Sequence, residues 1–374
     1  MTGSGRIESS LPAQLGRMER ARVVRDGTPR LRDEHITLSH GSGGKSSHAL
    51  LESLILPAFR NPLLDGIADA AVFSSGSAAE TGARTERIAL TTDSYVVSPL
   101  FFPGGDIGTL AVHGTINDLA VSGARPLAIS VALILEEGLD MAVLRRVVES
   151  MATAAAAAGV PIVTGDTKVV HRGKADQLFI TTSGVGVVGA GVRLGVDQVR
   201  TGDVVIVSGF VGDHGIAVML AREAFELDAE IESDSAPLHH LVTALLGAAP
   251  DTRVIKDPTR GGVASALNEI TARTRLAISV DEEHVPVRPA VRGACEILGL
   301  DPLQIANEGK LLAIVPPEQA HAALDALRAH RYGADAAIIG QVLEQPEGMV
   351  LLRTGIGGSR VLDMLVGDPL PRIC

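Results

Sequence analysis

The chain closes on Pro371-Arg372-Ile373-Cys374, which puts a thiol on its last residue. Nothing follows to hold that cysteine in a core. Pro369 and Pro371 bias the residues before them toward extended backbone, so residues 366–371 read as a leash. A thiol on a leash can visit a partner's active site and its own; the plainer alternative is a frayed end. It is not a prenylation signal, which sets its cysteine four residues from the terminus. Elsewhere the residue types point to phosphate chemistry. Asp69, Asp93, Asp118 and Asp166 stand at the ends of apolar or helical segments, and bare carboxylates brought together repel. A divalent cation bridging a polyphosphate removes that repulsion, since Mg2+ takes one or two carboxylates together with phosphate oxygens. Gly41-Ser42-Gly43-Gly44-Lys45 is a glycine loop with a cation, but Ser39 stands where a P-loop needs glycine. It is either a flap that closes N–H groups and Lys45 over phosphates or a solvent loop. Asp257-Pro258-Thr259-Arg260-Gly261-Gly262 opens a helix, where free N–H groups and the macrodipole favour an anion. The combined reading is metal–ATP binding without a P-loop.

The elements that must position these groups alternate between strand and helix. Ile36–Ser39 reads as a short strand before the glycine loop, with a helix over Ala49–Ile55. Ile88–Ser94 reads as a buried-type strand ending at Asp93. Asp106 caps a helix with Ile107, Leu110, Ala111, Gly114 and Leu119 on its apolar side and Asn117-Asp118 near its end. Ile129–Leu135 is a strand, and Met141–Ala158 is a helix stopped by Gly159. Val160–Val163 leads into Gly165-Asp166-Thr167-Lys168, where Lys168 is otherwise a solvated loop lysine. Phe179–Val188 is a glycine-laced strand. Its Gly184-x-Gly186-x-x-Gly189 matches a dinucleotide fingerprint only formally, because no amphipathic helix follows. The alternation restarts near residues 189–201 and runs through the helix Val263–Arg273, the strand Leu311–Val315 and the strand Ala336–Val342. Cys295 shares helical spacing with Val291, Ala294 and Leu298 and reads as core.

Composition bounds the class. With 374 residues, 46% hydrophobic, 2% aromatic and no tryptophan, the cores must be built from Ala, Val, Leu and Ile, which is α/β composition. A net charge of −11 argues against nucleic acid or an anionic membrane as partner. Two cysteines make neither a disulfide framework nor a multi-cysteine metal site, so a cytoplasmic protein is expected, with no signal peptide or spanning segment. The expected organisation is a disordered extension over residues 1–34, a first α/β domain over 35–190, a second over 191–353, and a flexible tail over 354–374.

Taken in order, His40-Gly41-Ser42-Gly43-Gly44-Lys45, Thr92-Asp93-Ser94, the run Asn117-Asp118-Leu119-Ala120-Val121-Ser122-Gly123-Ala124-Arg125-Pro126, Gly165-Asp166-Thr167-Lys168 and Asp257-Pro258-Thr259-Arg260-Gly261-Gly262 resemble the aminoimidazole ribonucleotide synthetase-like (PurM-like) ATPases. The similarity covers about residues 35–374, and the terminal Pro-Arg-Ile-Cys is similar to the branch that matures NiFe hydrogenases. The resemblance implies two α/β domains, the first dimerising through its sheet into a homodimer, with nucleotide between them. It implies that a HypF-like carbamoyltransferase loads a carbamoyl group onto the thiol of Cys374. ATP then drives dehydration of that carboxamide to a thiocyanate, and the cyano group passes to a HypC–HypD complex. It implies Mg2+ on Asp69, Asp93, Asp118, Asp166 and Asp257, with Asp69 weakest because Ile67-Ala68-Asp69-Ala70-Ala71 lacks the family's usual glycine-acid run. Nucleotide would meet Gly43, Gly44, Lys45, Asn117, Asp118, Asp166, Thr259, Arg260 and Gly261. Cys374 would carry the group, Glu308 would act as base, and Lys168 would orient the amide; the alternative for Glu308 is a turn residue before a strand. The competing readings are another ATP-dependent amide or selenide activator of this superfamily, and a non-catalytic nucleotide-binding scaffold presenting Cys374.

Overall fold

A computed structural model describes residues 33–59, 61–64, 68–75, 86–222, 230–367 and 372–374. The expected extension, apart from Asp33 and Glu34, lies outside them, as do Asp368–Pro371 of the leash.

Fourteen strands follow in chain order among the described residues: β1 (Ala71–Ser74), β2 (Arg87–Tyr95), β3 (Phe101–Phe102), β4 (Gly105–Asp106), β5 (Ala124–Glu136), β6 (Ile162–Val170), β7 (Leu178–Val188), β8 (Val204–Val207), β9 (Val254–Lys256), β10 (Ala277–Asp281), β11 (Leu312–Val315), β12 (Ala337–Leu343), β13 (Val350–Arg353) and β14 (Ser359–Val361). They build a five-stranded sheet in the order β1-β2-β7-β5-β6, a seven-stranded sheet in the order β14-β13-β10-β12-β8-β11-β9, and the short pair β3-β4.

In the first sheet β7 alternates buried and half-buried residues along its whole length, as a strand with one face on a helix must. The helix is Ile107–Val121, which packs on β2, β5 and β7 and is capped as expected by Asp106, whose carboxylate accepts from the N–H groups of Gly108 and Thr109 at 2.7 and 2.9 Å. Gly184 explains the glycine-laced strand: a Cβ there would stand 2.7 Å from Thr115 and 2.9 Å from Leu119, so the helix lies directly on the backbone. Met141–Ala158 packs on Ile107–Val121 and ends at Gly159 with φ 69°. The outer edge strand β6 is uncovered, with Ile162, Val163 and Val169 exposed.

Helices Asp213–Ala221, His239–Ala248, Gly262–Thr274, Pro289–Leu298 and Ala320–Arg328 accompany the second sheet. One apolar cluster joins the two halves: Tyr95, Ile107 and Ile180 from the first meet Ile216, Val291, Cys295 and Ile305 from the second, and Ile373 of the tail is buried among them. Cys295 is core, as its spacing predicts.

Three local expectations differ. Leu38–Gly41 is a 3-10 turn rather than a strand. Asp166 lies in the middle of β6, because that strand continues through Gly165-Asp166-Thr167-Lys168 in register with Val131–Ile134 of β5. Asp118 lies near the end of its helix, as expected, three residues before Val121. Residues expected in the tail after Arg353 include β14, which pairs with β13 and adds an edge to the second sheet.

Candidate active site

Asp93 is two residues from the end of β2 and shares the helix-facing side of that strand with Thr91 and Tyr95. Asp118 faces it from the helix, with Oδ2 2.7 Å from the Thr91 hydroxyl, which also lies 2.9 Å from the carbonyl of Asp69. The second half contributes Asp257, just beyond β9, and Lys256, whose Nζ lies 2.9 Å from Asp69 Oδ1 and 3.0 Å from Glu269 Oε2. Burial pushes the Asp118 carboxyl well above its ordinary range, and Asp257, Asp69 and Asp93 add to the shift. Burial, then Asp69, raises Asp257 to about 7, against the pull of Lys256. Lys256 itself stays protonated, because Asp69 and Glu269 outweigh its burial. Asp69, Asp93, Asp118 and Asp257 are thus brought into one another's field from both halves of the chain.

Among the described residues no three His, Cys, Asp or Glu side chains converge as a ready-made metal cage. The donor set suits a hard cation that keeps water and phosphate oxygens as further ligands, because the mutual elevation of Asp118 and Asp257 is what such a cation would relieve. Asp166 is not part of this group within one chain. It is exposed on β6, 2.7 Å from Lys168 Nζ, and that pairing with the N–H of Thr167 lowers its pKa.

Glu308 is buried, and its Oε1 has no hydrogen-bond partner among the described residues. Burial raises its carboxyl well above the ordinary value; Asp93, Asp257 and Asp234 raise it further, while Arg260 opposes them. Its backbone is fixed on both sides: its N–H donates to Asp234 Oδ1 at 3.0 Å and its carbonyl accepts from Asn117 Nδ2 at 3.0 Å. Asn117 therefore has a different task from the expected nucleotide contact. It also donates to the Ala236 carbonyl and accepts from the Leu238 N–H, so both amide hydrogens and its oxygen brace backbone. Asp234 is pinned in turn by Lys310, with Nζ 3.1 Å from Oδ2.

The glycine loop lies against this second half. Gly43 has φ +74° and a Cβ there would stand 2.8 Å from Arg260, whose Nη1 donates to the Gly41 carbonyl at 3.2 Å. Gly44 abuts Leu365, and the N–H of Lys45 donates to the Leu365 carbonyl. Lys45 Nζ is engaged by Asp363 at 2.6 Å, at the surface. Thr259 and Gly261 precede the helix Gly262–Thr274, which has no side-chain cap on its first turn.

The tail is docked. Val96 donates its N–H to a main-chain carboxylate oxygen of Cys374 and Ser98 to the carbonyl of Arg372, so the last residues run alongside the chain just beyond β2. A cavity of about 160 Å³ is walled by Cys374, Arg260, Gly261, Gln304 and Leu365. Burial lifts the Cys374 thiol to about 12, against Arg260, with Glu308 and Asp93 adding to the rise. The thiol is therefore within electrostatic reach of both the acids and Glu308.

Residue order missed Lys256, Asp234, His214, Arg222 and Asp176. Lys256 had a signal, a lysine in the otherwise apolar strand Val254-Ile255-Lys256; Asp234 sat in a loop that reads only as polar and acidic.

Comparison with known proteins places the chain in a family. Residues 67–188 match the family "AIR synthase related protein, N-terminal domain" and residues 200–352 match "AIR synthase related protein, C-terminal domain". The carbamoyl dehydratase HypE of Rhodobacter capsulatus is 53% identical over 344 residues, covering 92% of this chain and 99% of its own length. A solved HypE–HypF complex aligns with TM-score 0.79 at 45% identity, over 85% of this chain and 100% of that one. HypE in complex with ATP aligns with TM-score 0.75 at 48% identity, over 91% and 100%. With a terminal cysteine folded back into a cavity beside Arg260, and with likeness along nearly its whole length, the chain belongs to the HypE carbamoyl dehydratase family.

Proposed function

We propose that this chain uses ATP to dehydrate a carboxamide carried on the sulfur of its own Cys374, leaving a thiocyanate. The observation that carries the reading is the docked tail, whose Cys374 shares a cavity with Arg260 and lies within the electrostatic field of Glu308 and Asp93. The carboxamide oxygen is a poor leaving group; attack of that oxygen on the γ-phosphorus of ATP breaks the bond to the β-phosphate bridge and releases ADP. The nitrogen gives up its protons, the C–O bond breaks with phosphate leaving, and the C≡N bond is complete.

Such transfer depends on alignment and charge neutralisation. Asp69, Asp93, Asp118 and Asp257 would hold Mg2+, which supplies charge neutralisation at the phosphates when bound. Arg260 offsets charge at the rim of the cavity, and Gly43, Gly44, Thr259 and Gly261 offer backbone close to the cleft. Glu308 takes the proton from nitrogen. An ordinary carboxylate is a weak base, and burial among other acids is what strengthens it.

Loading of Cys374 is assigned to a HypF-like carbamoyltransferase, in keeping with the solved HypE–HypF complex. Delivery of the cyano group is assigned to a HypC–HypD complex. A homodimer across the uncovered edge strand β6 would bury Ile162, Val163 and Val169, and it is the route by which Asp166 and Lys168 of a second copy would approach the acids. The reading is tested by mass spectrometry of the C-terminal peptide after carbamoylation and addition of ATP. Loss of one water from the loaded peptide is expected, and a loaded peptide of unchanged mass after ATP turnover would overturn it.

A further inference from the structure

The polar contacts that dock the tail are made by its backbone carbonyls and the Arg372 side chain, not by the reacting thiol. His214 is wholly buried, and its Nε2 lies 2.6 Å from the carbonyl oxygen of Ile373. Its Nδ1 lies 2.8 Å from the Ser233 hydroxyl, so a neutral ring donates from Nε2 and accepts at Nδ1. Arg222 spans the two adjacent stretches: Nε donates to the Ser98 carbonyl at 2.6 Å and Nη2 to the Arg372 carbonyl at 2.7 Å. Arg372 lies in the left-handed region at φ 57° and is kept there by its own side chain, which donates to the Val96 carbonyl at 3.1 Å and pairs with Asp176 at 2.6 Å. A non-glycine residue in that region is strained, so the docked turn relaxes once its holders let go.

We infer that His214 and Arg222 are positioning residues for the terminal thiol, holding the tail in register with Glu308; the inference rests on Cys374 being the group carrier. The register is physical. Ser233 buttresses His214, and the next residue, Asp234, accepts from the N–H groups of Glu308 and Gly309. One short segment therefore sets both the tail and the buried carboxyl. The same latch opposes loading, because a thiol docked against the second half is not presented to a partner's active site. Loosening it must speed access to the thiol and slow dehydration while leaving Mg-ATP affinity unchanged, whereas general destabilisation opens the thiol, slows dehydration and weakens nucleotide binding together.

The test uses the full chain with Cys295→Ala, which leaves Cys374 as its one thiol. His214→Ala, His214→Gln and Arg222→Met are compared with that parent. Iodoacetamide alkylation without nucleotide reads access. Cyanate, which adds across the S–H bond to give the S-carboxamide, loads the tail independently of any enzyme, and single-turnover thiocyanate formation with ATP is then followed by intact mass. Loss of one buried hydrogen bond predicts alkylation about tenfold faster and dehydration about tenfold slower in His214→Ala and Arg222→Met. His214→Gln keeps an N–H donor near the Nε2 position and returns both rates toward the parent. Unchanged rates, rates that fall together, or a glutamine variant no better than alanine would overturn the inference. Should the parent itself form no thiocyanate, the dehydratase reading fails, while the alkylation series still decides whether these residues hold the tail.

Discussion

Asp257→Asn separates what the acid cluster does to stability from what it does for nucleotide. Asp257 titrates near 7 in the fold against an ordinary value of 3.8. Its folded pKa is raised, so between those two values the folded chain keeps a proton that the unfolded chain has lost. Stability therefore falls as pH rises through that window and levels off above it. At ~1.4 kcal/mol per pH unit, the ionised carboxylate costs the ligand-free fold about 4 kcal/mol at pH 8, and sharing of the shift with Asp118 brings this toward about 2. Asparagine cannot ionise. Chemical denaturation should find the variant more stable than the native chain by about 2–4 kcal/mol at pH 8, with the gap closing by about pH 4. Adding Mg-ATP should reverse the order, because binding stabilises only the chain that keeps the carboxylate. A variant no more stable at pH 8, or a gap that ignores pH, would refute the account of a strained cluster awaiting a cation.

Three further outcomes are expected. Glu308→Gln should bind ATP with unchanged calorimetric affinity yet form thiocyanate about 10²–10⁴-fold more slowly in single turnover; a native rate would remove Glu308 as base. Asn117→Ala should lower stability by about 2–4 kcal/mol in urea denaturation, since it leaves buried backbone groups unpartnered, and an unchanged midpoint would return Asn117 to the nucleotide. Cys374→Ala should keep its fold but lose turnover coupled to carbamoylation, and full coupled turnover in its absence would contradict the role of the tail.

Much of the architecture was legible because its signals are local. Asp106 reads as a cap from its place before an apolar-periodic run, and its carboxylate does accept the two N–H groups. Cys295 reads as core from helical spacing alone. Where reading along the chain went astray, a neighbour across the sheet was the cause. β6 runs through Asp166 because β5 offers a parallel partner for eight residue pairs, although Gly165 looks like a stop. β14 exists because β13 has an edge to be paired. Lys45, with glycines before it, reads either as part of a flap over phosphates or as a solvent-loop residue; residue order does not reveal that Asp363, more than three hundred residues later, pairs with it at the surface.

Taken alone, the order of residues determined the chemical inventory: which acids, which glycine loop, which terminal thiol, and the family whose motifs they match. Those depend on residue type and short-range spacing. Only the folded chain decided which carboxylates share a field, that Asn117 braces Glu308, and that the tail lies docked with Cys374 in one cavity with Arg260 and in the field of Glu308. The physical reason is that burial and charge coupling arise between groups far apart in sequence, and no spacing along the chain encodes how close the fold brings them.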